Sequence, residues 1–138
     1  MSDDFTDDKL TILVCESDTR LLKRLELWIK AMGSEPIVCD DGIIALQIFE
    51  EKRPDILFVS QNINSIGSME FIESIKNRTP SQVVVLMVDE EIDTSIFRKS
   101  IDLQVDRYLN KPLDANAVFS IVELLSNYLQ IIKVQKKN

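Results

Sequence analysis

The sequence predicts an α/β fold, a (βα)5 doubly wound sandwich on a five-stranded parallel sheet. Five short runs rich in branched apolar residues alternate with longer segments in which apolar residues recur every three or four positions. The short runs are apolar throughout instead of at alternate positions, the pattern of strands covered on both faces. Turn and capping residues fall between the two kinds of segment, so strands are joined through helices and pair in parallel by right-handed crossovers.

The elements follow in order. Thr11 to Cys15 form the first strand, after which Ser17 or Asp18 can cap a helix carrying Leu21, Leu25, Trp28 and Met32, with Gly33 at its end. Pro36 to Cys39 make the second strand, and Asp41-Gly42 turns into a helix with Ile44, Ile48 and Phe49. The third strand, Ile56 to Val59, is led in by Pro54-Asp55 and followed by a helix with Phe71, Ile72 and Ile75. Val83 to Val88 are the fourth strand, before a helix with Ile92, Ile96 and Phe97; Arg107 to Leu109 are the fifth, before Pro112. Each stripe is expected to face the core, and five such units usually adopt the strand order 2-1-3-4-5.

The last helix, from Ala115 to about Lys133, is apolar over more width than one sheet face consumes. Val118, Ile121, Val122, Leu125, Leu129 and Ile132 form one stripe, with Leu124, Tyr128 and Ile131 beside it. It reads either as a long closing helix with an apolar outer side or as a helix that continues into a partner or a further domain.

Composition bounds the rest. With 138 residues and 45% apolar side chains, the chain suits one domain with a sizeable core, placed at residues 10–130. Residues 1–9 read as an acidic, solvated arm and residues 131–138 as the end of the last helix or a tail. The net charge is −7, and removing Asp3, Asp4, Asp7 and Asp8 leaves −3 for the body. The basic cluster is Lys133, Lys136 and Lys137 at the end of the chain, so no direct nucleic-acid contact is expected. No run is read as approaching the ~20 apolar residues of a membrane helix, and Cys15 and Cys39 lie in apolar runs, so no membrane contact and a cytoplasmic location with reduced, buried thiols are expected. Histidine is absent, which removes imidazole bases, Ser-His triads, His metal ligands and phosphohistidine carriers.

An open sheet of this kind gathers its chemistry at the C-terminal ends of its strands. Those ends offer Glu16, Ser17 and Asp18; Ser60, Gln61 and Asn62; Asp89, Glu90 and Glu91; and Asn110 and Lys111. Gln61, Asn62 and Asn64 read as polar loop. From Leu10 to about Gln130 the chain resembles the receiver domain of two-component response regulators, the module that a histidine kinase phosphorylates on an aspartate. The resemblance lies in ILVCESD at residues 12–18, DDGIIALQIFEEKRPDILFVS at 40–60, VVVLMVDEE at 83–91 and YLNKPLD at 108–114.

The resemblance implies a phosphorylation pocket, and this chain departs from it at several corners. The acidic pair that holds Mg²⁺ falls on Glu16 and Ser17, the phosphoacceptor on Ser60, and the hydroxyl that contacts the phosphoryl group on Asp89. The aromatic switch residue and the lysine are retained as Tyr108 and Lys111, and Ile63-Asn64 stands in for the family's Met-Pro. A serine needs a base to become a nucleophile, and losing two carboxylates leaves mainly Glu16 for Mg²⁺, so cofactor binding is doubtful and no catalytic residue is expected. Lys111 is expected to pair with Asp89, or else Asp89 caps the following helix. Asp55 begins the third strand, ~16 Å from Ser60, and is excluded as a substitute acceptor.

The expectation is thus a pseudo-receiver in a phosphorelay context that is not an enzyme and acts by protein-protein interaction. Its working face would be the fourth helix, fifth strand and fifth helix, with a homodimer or a fused output domain among the expected partners. The alternative is an active receiver that autophosphorylates on an unorthodox residue with Mg²⁺. Flavodoxin-type nucleotide binding fits the architecture but not the first loop, which is acidic and has no glycine to cradle a phosphate.

Overall fold

Five parallel strands and five helices alternate without interruption. The structure, a computed structural model, describes residues 9–137, so all of the expected acidic arm at residues 1–9 except Lys9 lies outside the described residues. The strands are β1 (Thr11–Cys15), β2 (Glu35–Cys39), β3 (Ile56–Ser60), β4 (Val83–Val88) and β5 (Arg107–Asn110), in the order β2-β1-β3-β4-β5. The helices are α1 (Thr19–Ala31), α2 (Gly42–Lys52), α3 (Ser68–Arg78), α4 (Thr94–Asp102) and α5 (Ala115–Lys137).

β3 and β4 are buried along their whole lengths, which is why they read as unbroken apolar runs. Alternate strand residues point to opposite faces and make two core layers. Ile12, Val14, Ile56, Phe58, Val85 and Met87 pack against α1 and α5 residues such as Leu25, Ile29, Val118 and Val122. Leu13, Leu57, Val59, Val84 and Leu86 pack with Ala45, Phe49, Phe71, Ile72 and Ile75 on the other face. Fully burying one such large side chain stabilises the fold by about 1.5–3 kcal/mol.

Several local expectations shift. The buried line of α1 is Leu22, Leu25 and Ile29, while Leu21, Trp28 and Met32 pack at its edge. In α2 the buried residues are Gly42, Ala45 and Phe49, and Ile44 is exposed; in α4 Phe97 is exposed. A spacing of three or four fixes a stripe but not its phase, and on short amphipathic helices flanked by apolar residues the phase moves by one position. Asp18 is the cap of α1, accepting the Arg20 and Leu21 N–H groups at 3.0 and 3.3 Å. The helix closes at Met32, and Gly33 follows with φ +83°.

Helix α5 exceeds its expected end, and over Ala115–Gln135 it is long and apolar enough to cross a membrane by length and composition alone. That corrects the reading that no run approaches this length. Its inner residues Val118, Val122 and Leu125 are buried against the sheet, whereas Leu124, Tyr128, Ile131 and Val134 are exposed.

Candidate functional site

Each strand tip hands its last backbone groups to a neighbour, which fixes the residues just beyond. The Glu16 N–H donates to the Cys39 carbonyl at 3.1 Å, the Gln61 N–H to Met87 at 2.8 Å and the Lys111 N–H to Val88 at 2.8 Å. Glu16, Ser60 and Lys111 therefore extend the sheet's register by about one residue beyond the apolar core, and their side chains meet. The Lys111-Pro112 peptide is cis.

At the centre is a buried ion pair. Glu16 is only 1% exposed, and its Oε1 lies 2.7 Å from the Lys111 ammonium, while Oε2 accepts the Asp18 N–H at 3.0 Å. No other polar group reaches Oε1 among the described residues, so the lysine is what keeps this carboxylate compatible with burial. The same ammonium donates to the Ser60 hydroxyl at 2.8 Å, and Ser60 is fully buried. The expected Lys111–Asp89 pair is present but long, with Asp89 Oδ1 4.0 Å from the ammonium, and Glu16 is an unexpected nearer partner. Glu16 is the closer and more deeply buried carboxylate, and at short range in a dry setting it competes better. Asp89 does not cap α4, since Asp93 does so through the Ser95 N–H at 2.7 Å.

Asp89 is instead held by the two amides after β3. Asn62 Nδ2 donates to Asp89 Oδ2 at 2.7 Å, and the Asp89 N–H donates to Gln61 Oε1 at 3.1 Å. The Ser17 hydroxyl donates to the Asn62 carbonyl at 3.2 Å, so Asn62 ties the loop after β1 to the loop after β4. Gln61 and Asn62, read from the sequence only as polar loop, are thus part of the site. Two carboxamides directly beyond a buried strand tip were the signal. Nearby, Gly42 lets the loop after β3 approach α2, because a Cβ there would collide with Ile63 and Ile66. The Gly42 N–H donates to the Asn64 carbonyl at 3.0 Å, and Asn64 Nδ2 donates to the Asp40 carbonyl at 3.0 Å.

Tyr108 sits on β5, two residues before the end of the strand. Its hydroxyl shares a 2.8 Å hydrogen bond with the buried Ser100 of α4, and its ring meets Phe97 with centroids 5.6 Å apart. Asp55 lies at the opposite end of β3, where it accepts the Thr11 N–H at 2.8 Å.

The response regulator receiver domain model matches residues 12–123. The chain belongs to that family. A curated relative, the Regulator of RpoS of Escherichia coli, is 25% identical over 112 residues, covering 80% of this chain and 33% of its own length. The cyclic di-GMP phosphodiesterase of Thermotoga maritima is 26% identical over 105 residues, covering 76% of this chain and 28% of its own. This chain therefore spans about a third of such relatives. Among solved structures, a CheY-like receiver domain protein from Methanospirillum hungatei superposes with a TM-score of 0.83 at 14% identity, covering 88% of this chain and 97% of that one. A receiver domain from Clostridium thermocellum gives 0.81 at 19% identity, with 89% and 98% covered. Residues 12–123 are a response regulator receiver domain of two-component signalling.

The family's Mg²⁺ is tested by the donors in this receiver. Octahedral Mg²⁺ is usually held by one or two carboxylates with free oxygens. Here both Glu16 oxygens are engaged, Ser17 and Ser60 bring no charge, and Asp89 is turned to Asn62. Among the described residues no group of three acidic, Cys or His side chains converges to hold a metal. This donor set does not fit a Mg²⁺ centre.

Proposed function

We propose that this receiver signals without aspartyl phosphorylation, as a protein-interaction module whose strand-tip site is held in one arrangement by its own side chains. The observation that carries this reading is the Ser60–Lys111–Glu16 cluster: the lysine is engaged by a neutral hydroxyl and a buried carboxylate where an acceptor carboxylate would stand. A phosphoryl group moves a receiver only through its different affinity for two states, and a site with a serine at the acceptor position and donors that do not fit Mg²⁺ offers little such difference. The Asn62 bridge between Ser17 and Asp89 supports the same reading, since it joins the loops on either side of β3 through direct hydrogen bonds.

The working face would be α4, β5 and α5. Exposed Phe97, Ile101, Leu124, Tyr128 and Ile131 support it, because a face this apolar is rarely left to solvent. The occupant would be a second copy, an output domain or another protein of a cytoplasmic phosphorelay.

Titration of the isotope-labelled protein with Mg²⁺ tests the site reading. The amide signals of Glu16, Ser17 and Asn62 are expected to stay in place at millimolar metal, and saturable shifts confined to those residues would overturn it. For the face, Tyr108→Ala and Ile131→Asp are expected to release a partner that co-purifies with the unaltered chain.

A further inference from the structure

Cys15 and Cys39 are the two cysteines of the chain, and the sheet brings them together. β1 and β2 run parallel with these two residues as partners in register, each the last of its strand. Residues at one register of parallel strands point to the same face, and both side chains join the core layer built on Leu13, Leu57 and Val59. The thiols are free, and each feels the other's charge: after burial, Cys39 is the largest cause that holds the Cys15 proton on. Cys15 is fully buried, whereas Cys39 is 8% exposed. β2 is an edge strand paired with β1 alone, so Cys39 offers a way in from the side of the sheet.

We propose that Cys15 and Cys39 form a two-sulfur site for a single soft cation, Cu(I), bridged between β1 and β2 next to Glu16. Parallel strands lie about 4.7–4.9 Å apart, and side chains in register stand side by side at roughly that distance. Two metal–sulfur bonds of about 2.3 Å placed end to end span about 4.6 Å, which matches. A disulfide fits less well, because it draws the Cβ atoms to about 3.5–4.5 Å. Thiolates select Cu(I), Zn²⁺ or iron–sulfur clusters. Zn²⁺ and the clusters call for about four ligands, and among the described residues no group of three acidic, Cys or His side chains converges, which leaves the ion that two sulfurs satisfy. Binding forms two Cu–S bonds, breaks both S–H bonds and sends two protons to solvent, with no change of oxidation state. One of those protons is the one the Cys39 thiol donates to the Asp41 carbonyl at 3.2 Å. The Cys39 carbonyl accepts the Glu16 N–H at 3.1 Å, so an ion here acts on the residue that pairs with Lys111. The inference rests on the two thiols and is independent of the chemistry at Ser60.

The test titrates the reduced full chain with Cu(I) under anaerobic conditions, against a chromophoric Cu(I) chelator, and reads stoichiometry by native intact mass. One ion per chain is expected, with two protons released, so apparent affinity should rise about a hundredfold per pH unit near neutrality. In the isotope-labelled protein the amide signals of Glu16, Cys39, Asp41 and Gly42 should shift together. Cys39→Ser and Cys15→Ala are each expected to weaken binding by about a hundredfold or more, since the second sulfur is held in place for the first. The double change Val38→Cys with Cys39→Ser keeps two thiols but turns one to the opposite face of the sheet, where Val38 packs, and should bind no better than the single-cysteine variants. If Cys15→Ala does not fold, the two edge-strand variants decide. Equal binding by the out-of-register pair, binding that survives loss of either cysteine, release of fewer than two protons, or Zn²⁺ held as tightly as Cu(I) would each overturn the proposal.

Discussion

Lys111 holds the strand tips together with a single ammonium shared between Glu16 and Ser60. Replacing it by Met leaves a buried carboxylate unpaired, so Lys111→Met is expected to cost about 3–5 kcal/mol in urea unfolding, and a loss under 1 kcal/mol would contradict the pairing. Ser60→Asp acts in the other direction. It places a second carboxylate at a fully buried position where one ammonium now serves two acids, so stability should fall by about 1–3 kcal/mol without metal. Millimolar Mg²⁺ should then raise the melting temperature of that variant and not of the unaltered protein, since a ligand stabilises only a fold that binds it. The departures of Ser17, Ser60 and Asp89 were legible residue by residue in the sequence. Glu16 as the nearer partner of Lys111 was not, because which of two nearby acids a flexible lysine approaches more closely depends on depth of burial, which spacing does not encode. The bridge through Asn62 was hidden for a related reason: a carboxamide after a strand reads as loop until the loops on both sides are in place.

At the scale of elements, β4 links the site to the outer face, since its far neighbour β5 carries Tyr108 against α4. Tyr108→Phe removes the hydrogen bond to Ser100 and is expected to cost about 1 kcal/mol in chemical denaturation while leaving the fold intact. The apolar strands were legible almost to the residue, with β1 and β4 as read, because uninterrupted branched runs have few alternatives. Helix phase was less legible: Ile44 and Phe97 lie on stripes of the right spacing but face water, and only the sheet's position decides which apolar residue of an adjacent pair is buried. The end of α5 also ran past its reading, since after Lys133 no proline or glycine stops it.

Across the whole molecule, stability should depend on pH at both extremes. Asp41 is held below the ordinary carboxylate range by the Ser65 hydroxyl and the N–H groups opening α2, Glu50 by the Arg78 guanidinium, and Asp93 by Ser95. A lowered pKa in the fold contributes stability above the unfolded value that is lost as pH falls through the folded one, so weakening is expected below about pH 4. Cys15 behaves oppositely. Burial, with Cys39 and the acids near it, raises its thiol from 9.0 to about 12. Its contribution is complete below 9.0 and is lost as pH rises toward about 12. Thermal melts across pH should show a plateau between these limits, and native protein should resist alkylation at Cys15 until it unfolds. The receiver fold positions every part of this account, and its central proposal is that the strand tips do not carry out aspartyl phosphorylation. The most direct test is intact-mass measurement after incubation with Mg²⁺ and a small phosphodonor such as acetyl phosphate. The account predicts an unchanged mass, and a stoichiometric gain of one phosphoryl group, at Ser60 or any other residue, would contradict it.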